Sequence, residues 1–394
     1  MAPLSLRDCL PETAVFLACL VGYLPKLSFP LSTDEAIYFS VAREMARDGH
    51  WLIPVYTGTT DIISGTVFLE KPPLVFWLQA LSIDVLGATP AAVRVPSVVA
   101  TAACAVVVVR IARTFYDDRT GLAAGLVFLT MPAIFWYGNG GRTATTDIFL
   151  LLFGTLFVWF GYRSRASPRY LWYAGVAGGL AVMSKQAAAG LYLLLALPVL
   201  LRTLRTGREG VLGGVAAALA TALPWNLYAL ASYPETYLRQ MVSEQFLGRL
   251  GTGHEPLHGQ TYSTIGPFNP FYVVRFPVYL GPFVISTAAG AYFAAVDARH
   301  GAARDESLFL LWWLAFPVAL FTVLTSSTWI HYVIASVVPA AVLSGYAIIR
   351  TAPLVREHAE TRAVAARIPT APDIVTWTAL AVAVLLAYPV HQNV

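Results

Sequence analysis

Phe68-Leu69-Glu70-Lys71-Pro72-Pro73-Leu74-Val75-Phe76-Trp77 leads into an apolar stretch, 73–88, whose reading decides the arrangement of the whole chain. The stretch opens on two prolines. Neither has a backbone donor, and together they block helix before them. Lys71 therefore stands on non-helical backbone where the chain meets the apolar run. If 73–88 crosses a bilayer, every later loop changes sides; if it lies at the interface or dips in and returns, none does.

The rest of the sequence explains why a bilayer is the right frame. Of 394 residues, 57% are hydrophobic and 12% charged, with a mean hydropathy of +0.64. Soluble domains carry about twice that charge. A soluble enzyme, a disordered chain and a disulfide scaffold are all excluded. Apolar runs near the roughly 20 residues that span a bilayer recur at 13–29, 93–113, 120–138, 146–162, 170–185, 188–202, 211–231, 271–295, 307–325, 331–349 and 374–390. The first is expected to be a retained span and not a cleaved leader.

Arginine-rich loops mark the cytoplasmic side of a membrane protein. Here they are Arg110/Arg113/Arg119, Arg163/Arg165/Arg169, Arg202/Arg205/Arg208, Arg299/Arg304 and Arg350/Arg356/Arg362/Arg367. A crossing at 73–88 would send all five sets outward. An interfacial 73–88 puts all five inside, and this reading is adopted. The expectation is an all-α integral membrane bundle of about eleven spans, with the N-terminus inside and the C-terminus outside. The outer face then carries 30–92, 139–145, the junctions near 185 and 330, and the long loop 232–270. Residues 1–350 read as the membrane domain. Residues 351–394 read as a cytoplasmic linker and last span, with no soluble domain expected after it. The net charge of +4 is small and no basic block suggests nucleic acid. The three cysteines, Cys9, Cys19 and Cys104, lie in or beside apolar stretches. They form no pattern of paired outer cysteines or a metal knuckle.

The outer segments hold the chemistry. Ser32-Thr33-Asp34-Glu35-Ala36-Ile37-Tyr38 contains a capping box, Ser32-x-x-Glu35, so a helix is expected from there to about Asp48, stopping at Gly49. Ile37, Val41 and Met45 recur on one face, as in an amphipathic helix lying on the membrane. Glu35 could serve as a cap alone, and Asp34 could serve only the helix dipole. Lys71 is either a snorkelling cation or a fixed partner for a phosphate. Gly138-Asn139-Gly140-Gly141-Arg142-Thr143-Ala144-Thr145-Thr146-Asp147 places a lone Arg before a span. Asp147 there needs a partner, and Arg142 is the expected one. Lys185 and His331-Tyr332 sit at further outer helix ends, where interfacial anchoring is the plain alternative. His254, Glu255 and His258 have crude metal-ligand spacing without a clear further ligand. Charges are sparse in this chain, yet Asp34, Glu35, Glu70, Lys71, Arg142, Asp147 and Lys185 all collect on one side. That pattern suits a charged, amphipathic ligand.

The order of these residues resembles a known family. Asp34-Glu35 is followed by Glu70-Lys71-Pro72-Pro73-Leu74, by Arg142-x-x-x-x-Asp147 and by Lys185. Leu223-Pro224-Trp225 then precedes the long outer loop. Over about residues 30–350 the chain looks like the GT-C class of polyprenyl-phosphate-sugar transferases, of the lipid A aminoarabinose transferase and protein O-mannosyltransferase type. The resemblance implies an inverting hexosyl- or pentosyltransferase of the cell membrane. The donor would be a sugar on undecaprenyl or dolichyl phosphate, and the acceptor a lipid, glycan or protein on the extracytoplasmic face. Asp34 matches the catalytic carboxylate. Lys71 matches the cation on the donor phosphate, with Glu70 beside it and Tyr38 and Tyr332 near that phosphate. Arg142, Asp147 and Lys185 match positions lining the same cavity, with Glu35 in support. Ile37 departs from the family pattern, which often has an arginine there.

That chemistry needs a base for the attacking group and a fixed cation for the leaving phosphate. A monophosphate leaving group requires no cofactor, and a divalent metal is the lesser expectation. The rival reading is a transporter or flippase for the same lipid without bond chemistry. Transporters usually show inverted repeats and ionisable groups near the bilayer midplane. No repeat is visible here.

Overall fold

The computed structural model describes residues 9–57, 67–206, 208–247, 268–301, 303–324 and 329–361. The chain is all-α. Its helices are α1 (Leu10–Tyr23), α2 (Thr33–Asp48), α3 (Leu74–Leu86), α4 (Pro90–Phe115), α5 (Asp118–Thr130), α6 (Pro132–Phe135), α7 (Asp147–Arg163) and α8 (Tyr170–Ser184). They continue as α9 (Gln186–Thr206), α10 (Arg208–Ser232), α11 (Pro234–Tyr237), α12 (Phe271–Leu280), α13 (Phe283–Arg299), α14 (Arg304–Leu324) and α15 (Val337–Thr361). A π-helical segment, Leu238–Leu247, follows α11, and a 3-10 stretch, Ile330–Ser336, leads into α15. Among the described residues the only extended pairing is one antiparallel bridge, Val55 with Val67.

The chain is a multi-pass membrane protein. Among the described residues five helices are long and apolar enough to cross a bilayer: Pro90–Phe115, Gln186–Leu204, Gly210–Ser232, Arg304–Leu324 and Ile330–Pro353. The expected span 271–295 is not one straight helix. It breaks into α12 and α13, which meet at 106°. The break falls at Gly281-Pro282, where Pro282 cannot continue the preceding ladder and Gly281 takes φ +62°. Counted as one broken span, the pair makes six. The stretch read as a linker is helical at its start, since α15 runs on to Thr361. The apolar run 374–390 lies outside the described residues.

The core forms where α1, α4, α5, α7 and α15 cross. Val15, Cys19, Cys104, Val108, Phe128, Leu151, Val338 and Val342 are all fully buried there. α8 packs between α7 and α10. α13 lies against α15 so closely that a Cβ at Gly290 would run into the Leu343 carbonyl. Gly290→Ala is therefore expected to destabilise the bundle by about 1–3 kcal/mol, read as a lower thermal midpoint in detergent. An unchanged midpoint would show that the two helices separate freely.

The predicted amphipathic helix is present as α2. The Ser32/Glu35 capping box forms at its start, and Gly49, at φ 76°, ends it in the left-handed region. Ile37, Val41 and Met45 point inward, and α3 packs beside them.

Ion pairs tie one end of the bundle together. Glu12 meets Arg110 at 2.5 Å and Arg113 at 2.6 Å, and Arg113 meets Asp118 at 2.7 Å. Arg165 pairs with Asp305, Tyr162 donates to Glu306 and Arg350 pairs with Asp297. Tyr116 stacks on Tyr346 between these groups. Most of the arginine-rich loops thus share one end, away from α2.

Candidate active site

The opposite end holds three buried polar clusters. The first is built on α2. Glu35 is 1% exposed, and its carboxylate meets Arg94 through Nε at 2.7 Å and Nη2 at 2.8 Å. It also accepts from the Ser32 amide at 3.0 Å and the Ala144 amide at 2.8 Å. Arg94 is fully buried. It donates further to the carbonyls of Leu27 at 2.7 Å, Phe29 at 2.6 Å and Pro30 at 3.0 Å. One guanidinium thus fastens the α1–α2 connection, the cap of α2 and the first turn of α4. Asp34, beside this anchor in the first turn of α2, is exposed.

Arg94 was not singled out in the sequence, although it stands second in the expected span 93–113. An ionisable residue inside a span is itself a signal.

The second cluster surrounds Lys71, which is 5% exposed. Its ammonium donates to Gln245 Oε1 at 2.7 Å and to the Glu70 carbonyl at 3.3 Å, and lies 4.0 Å from the Glu70 carboxylate. Gln245 in turn donates to Glu70 at 3.2 Å. The Leu69 amide donates to Gln240 at 2.6 Å. Both glutamines belong to the π-helical segment, so the described start of the long loop 232–270 does lie against Lys71. Tyr38 packs its ring on Phe68 and Phe76, at 6.4 and 5.5 Å.

The third cluster is Asp147 with Lys185. Their side chains meet at 2.7 Å, and Asn139 donates to the other carboxylate oxygen at 3.0 Å. The expectation that Arg142 is the partner of Asp147 is overturned. Lys185 caps the end of α8 and reaches the start of the neighbouring α7, whereas Arg142 lies on the ring of Phe135, 4.1 Å from its centroid. His331 sits near enough to Asp147 to act on it electrostatically. Tyr332 packs against Phe321 and His331, with centroids 5.3 and 5.0 Å apart.

The clusters adjoin. Ala144, in the loop that carries Arg142, touches both Glu35 and Gln79 of α3. Leu69, next to the Lys71 segment, packs with Met183 near the end of α8 and with Trp225 of α10. A largely apolar hollow of about 410 Å³ opens here, lined by Leu52, Leu74, Trp77, Leu180, Met183 and Trp225 among others. A second hollow of about 510 Å³, with His50, Trp51, Ser232 and Tyr233 in its wall, shares Leu52 and Tyr228 with the first. Among the described residues no three His, Cys, Asp or Glu side chains come together as metal ligands. His254, Glu255 and His258 lie outside the described residues.

Known proteins place this architecture. The family described as dolichyl-phosphate-mannose-protein mannosyltransferase matches residues 70–228. An undecaprenyl phosphate-alpha-4-amino-4-deoxy-L-arabinose arabinosyl transferase of Pseudomonas fluorescens is 26% identical over 79% of this chain and 54% of its own length. One from Pseudomonas aeruginosa is 28% identical over 80% of this chain and 55% of its own length. The chain therefore spans about half the length of the relatives it matches.

Two solved structures share the fold. ArnT from Cupriavidus metallidurans bound to undecaprenyl phosphate aligns with a TM-score of 0.70 at 18% identity, over 95% of this chain and 69% of that one. The archaeal oligosaccharyltransferase AglB from Archaeoglobus fulgidus, in complex with an inhibitory peptide and a dolichol-phosphate, aligns at 0.59 and 15% identity, over 96% and 55%. The resemblance to the GT-C glycosyltransferases thus holds in sequence and in fold.

Proposed function

We propose that the protein is an inverting glycosyltransferase that moves a sugar from a polyprenyl-phosphate donor to a lipid, glycan or protein acceptor on the extracytoplasmic face. The observation that carries this reading is the meeting of the Glu35, Lys71 and Asp147–Lys185 clusters at one end of a GT-C-like bundle. Relatives named as undecaprenyl-phosphate arabinosyl transferases support the donor class. The arginine-rich loops at the far end support the orientation, with about eleven spans in all and α3 at the interface. No metal or other cofactor is required by the scheme.

In this reading Asp34 takes the proton from the acceptor as it attacks the sugar C1. The C1–oxygen bond to phosphate breaks, and the lipid phosphate leaves with the electron pair. Lys71 stabilises the charge that develops on that oxygen, in surroundings where water is largely excluded. Tyr38, Tyr332, Arg142 and Lys185 stand around the phosphate, with Glu35, Glu70 and Asp147 in support. The apolar hollow bounded by Leu74, Trp77 and Trp225 suits the first isoprene units of the carrier.

The test is transfer by the purified protein in bilayers, with a radiolabelled undecaprenyl-phosphate sugar, beginning with 4-amino-4-deoxy-L-arabinose. Release of free undecaprenyl phosphate with label on the acceptor supports the reading. Movement of intact labelled donor between leaflets without bond cleavage would support the flippase instead. Lys71→Ala is expected to weaken undecaprenyl phosphate binding by roughly tenfold or more, as for loss of a charge-assisted contact, and to slow transfer. Binding unchanged in that variant would remove Lys71 from the phosphate site. Mass spectrometry of surface lipids and glycans from a deletion strain identifies sugar and acceptor together.

A further inference from the structure

The connection between α7 and α8 lies at the end of the bundle that carries most of the arginine-rich loops. Several arginines there are neutralised: Arg110 and Arg113 by Glu12, Arg165 by Asp305 and Arg350 by Asp297. Arg163 and Arg169 stand in the same connection as Arg165. Among the described residues neither pairs with a carboxylate, and both lie over rings instead. The Arg163 guanidinium is 4.9 Å from the Tyr170 centroid and 5.8 Å from that of Trp159, and the Arg169 guanidinium is 5.4 Å from Tyr170. Arg163 also donates to the Tyr170 hydroxyl at 3.0 Å. Two guanidinium groups thus share one phenol ring, with no described anion between them.

Aromatic rings extend this pair of cations into a ledge. Phe160 lies 6.1 Å from Tyr170 and 5.7 Å from Tyr173, and Trp159 stacks on Phe160 at 5.4 Å. The Trp159 indole N–H, one turn below Arg163, is buried without an acceptor among the described residues. The ledge is rigid. The Ala166 and Ser167 amides donate to the Arg163 carbonyl at 3.0 and 3.4 Å, and the Tyr170 amide donates to the Ser167 carbonyl at 3.1 Å. Trp172 is seated on α10 at Gly213, where a Cβ would overlap the indole. Trp172, Tyr173 and Val176 are exposed along α8, and in a membrane-spanning bundle an exposed apolar face meets lipid. Tryptophan and tyrosine gather at headgroup depth, so the two arginines stand where a headgroup phosphate lies.

We propose that Arg163 and Arg169, on the ledge of Trp159, Phe160, Tyr170 and Tyr173, form a headgroup site for an anionic phospholipid of the leaflet at this end. Guanidinium forks match the two unesterified oxygens of a phosphodiester, and basic pockets between membrane helices take such headgroups. A zwitterionic lipid would bring its own ammonium to two cations that already lack a counter-charge, whereas an anionic lipid supplies the missing charge. The acyl chains then run along Tyr173 and Val176. Snorkelling alone explains why each arginine reaches the interface, but not why two of them meet on one ring. This end of the bundle is remote from Lys71, and the inference does not rest on the transferase reading.

The test is lipid retention by the full chain in native mass spectrometry, from mixed micelles holding phosphatidylcholine, phosphatidylglycerol and cardiolipin in equal amounts. Wild type is compared with Arg163→Gln/Arg169→Gln and with Arg119→Gln/Arg299→Gln, after thermal unfolding has shown each to be folded. The second pair removes the same charge from exposed positions at the same end. Wild type is expected to hold anionic lipid over phosphatidylcholine, and Arg163→Gln/Arg169→Gln to lose that preference by at least about tenfold, while Arg119→Gln/Arg299→Gln keeps it. Cardiolipin held above phosphatidylglycerol assigns one headgroup phosphate to each guanidinium, and equal retention assigns a single phosphate to both. Three results overturn the proposal: no anionic preference in wild type, an unchanged preference in Arg163→Gln/Arg169→Gln, or the same loss in both double variants.

If Arg163→Gln/Arg169→Gln does not fold, crosslinking to wild type replaces it. Phosphatidylglycerol with a photoreactive headgroup is irradiated with the protein, and the labelled peptides are read by mass spectrometry. Adducts within 157–176 that excess phosphatidylglycerol suppresses and excess phosphatidylcholine does not support the site. Adducts only elsewhere, or equal suppression by both lipids, overturn it.

Discussion

Asp34→Asn is expected to remove transfer, by roughly 10²–10⁴-fold for loss of a general base, while undecaprenyl phosphate still binds. The expectation follows from where Asp34 stands. It is exposed in the first turn of α2, so it makes little contribution to packing. Its favourable effect on the helix dipole is only about 0.3–1 kcal/mol. Asn keeps the shape and can cap or turn as Asp does, but it takes no proton at neutral pH. A loss of rate with unchanged folding therefore reports chemistry. Single-turnover transfer with labelled donor, set beside donor binding and thermal unfolding, separates the outcomes. Turnover near the wild-type rate would take the base role away from Asp34.

Arg94→Met carries the largest expected effect on stability. The substitution keeps the side chain's apolar length and removes its charge. It leaves Glu35, 1% exposed, without its cation, and leaves the Leu27, Phe29 and Pro30 carbonyls without their donor. Breaking one side of a buried ion pair typically destabilises by roughly 3–5 kcal/mol. Arg94→Met with Glu35→Gln is expected to recover part of that, because no uncompensated carboxylate is left behind. A double-mutant cycle on thermal midpoints in detergent measures the coupling. If Arg94→Met alone unfolds at the wild-type midpoint, the guanidinium is not the anchor of this end.

Local signals made much of the fold legible before any coordinates. The capping box, the four-residue spacing of Ile37, Val41 and Met45, and Gly49 specify α2 because each acts within a few residues. The apolar runs locate most of the long helices for the same reason. What the sequence left open depends on distance in space. Arg94 meets Glu35 across 59 positions and Gln245 meets Lys71 across 174, and no periodicity encodes either pair. Arg142 and Asp147 are near neighbours in the chain, and that proximity suggested a pair. The fold instead turns Arg142 onto Phe135 and brings Lys185 across from the adjacent helix end. The 106° bend between α12 and α13 was legible in the Gly281-Pro282 dipeptide, but the continuous hydrophobicity on both sides hid it.

The amide of Gln245 on Lys71 has a consequence for affinity. An anion that takes the Gln245 position on that ammonium does so by exchange with a neutral carbonyl already seated there. The net gain is a difference between two contacts and is smaller than either alone. A shorter side chain at 245 should therefore tighten the grip on anions while loosening the empty protein. If Lys71 holds the donor phosphate as proposed, its occupancy and the seating of the π-helical segment become one coupled equilibrium.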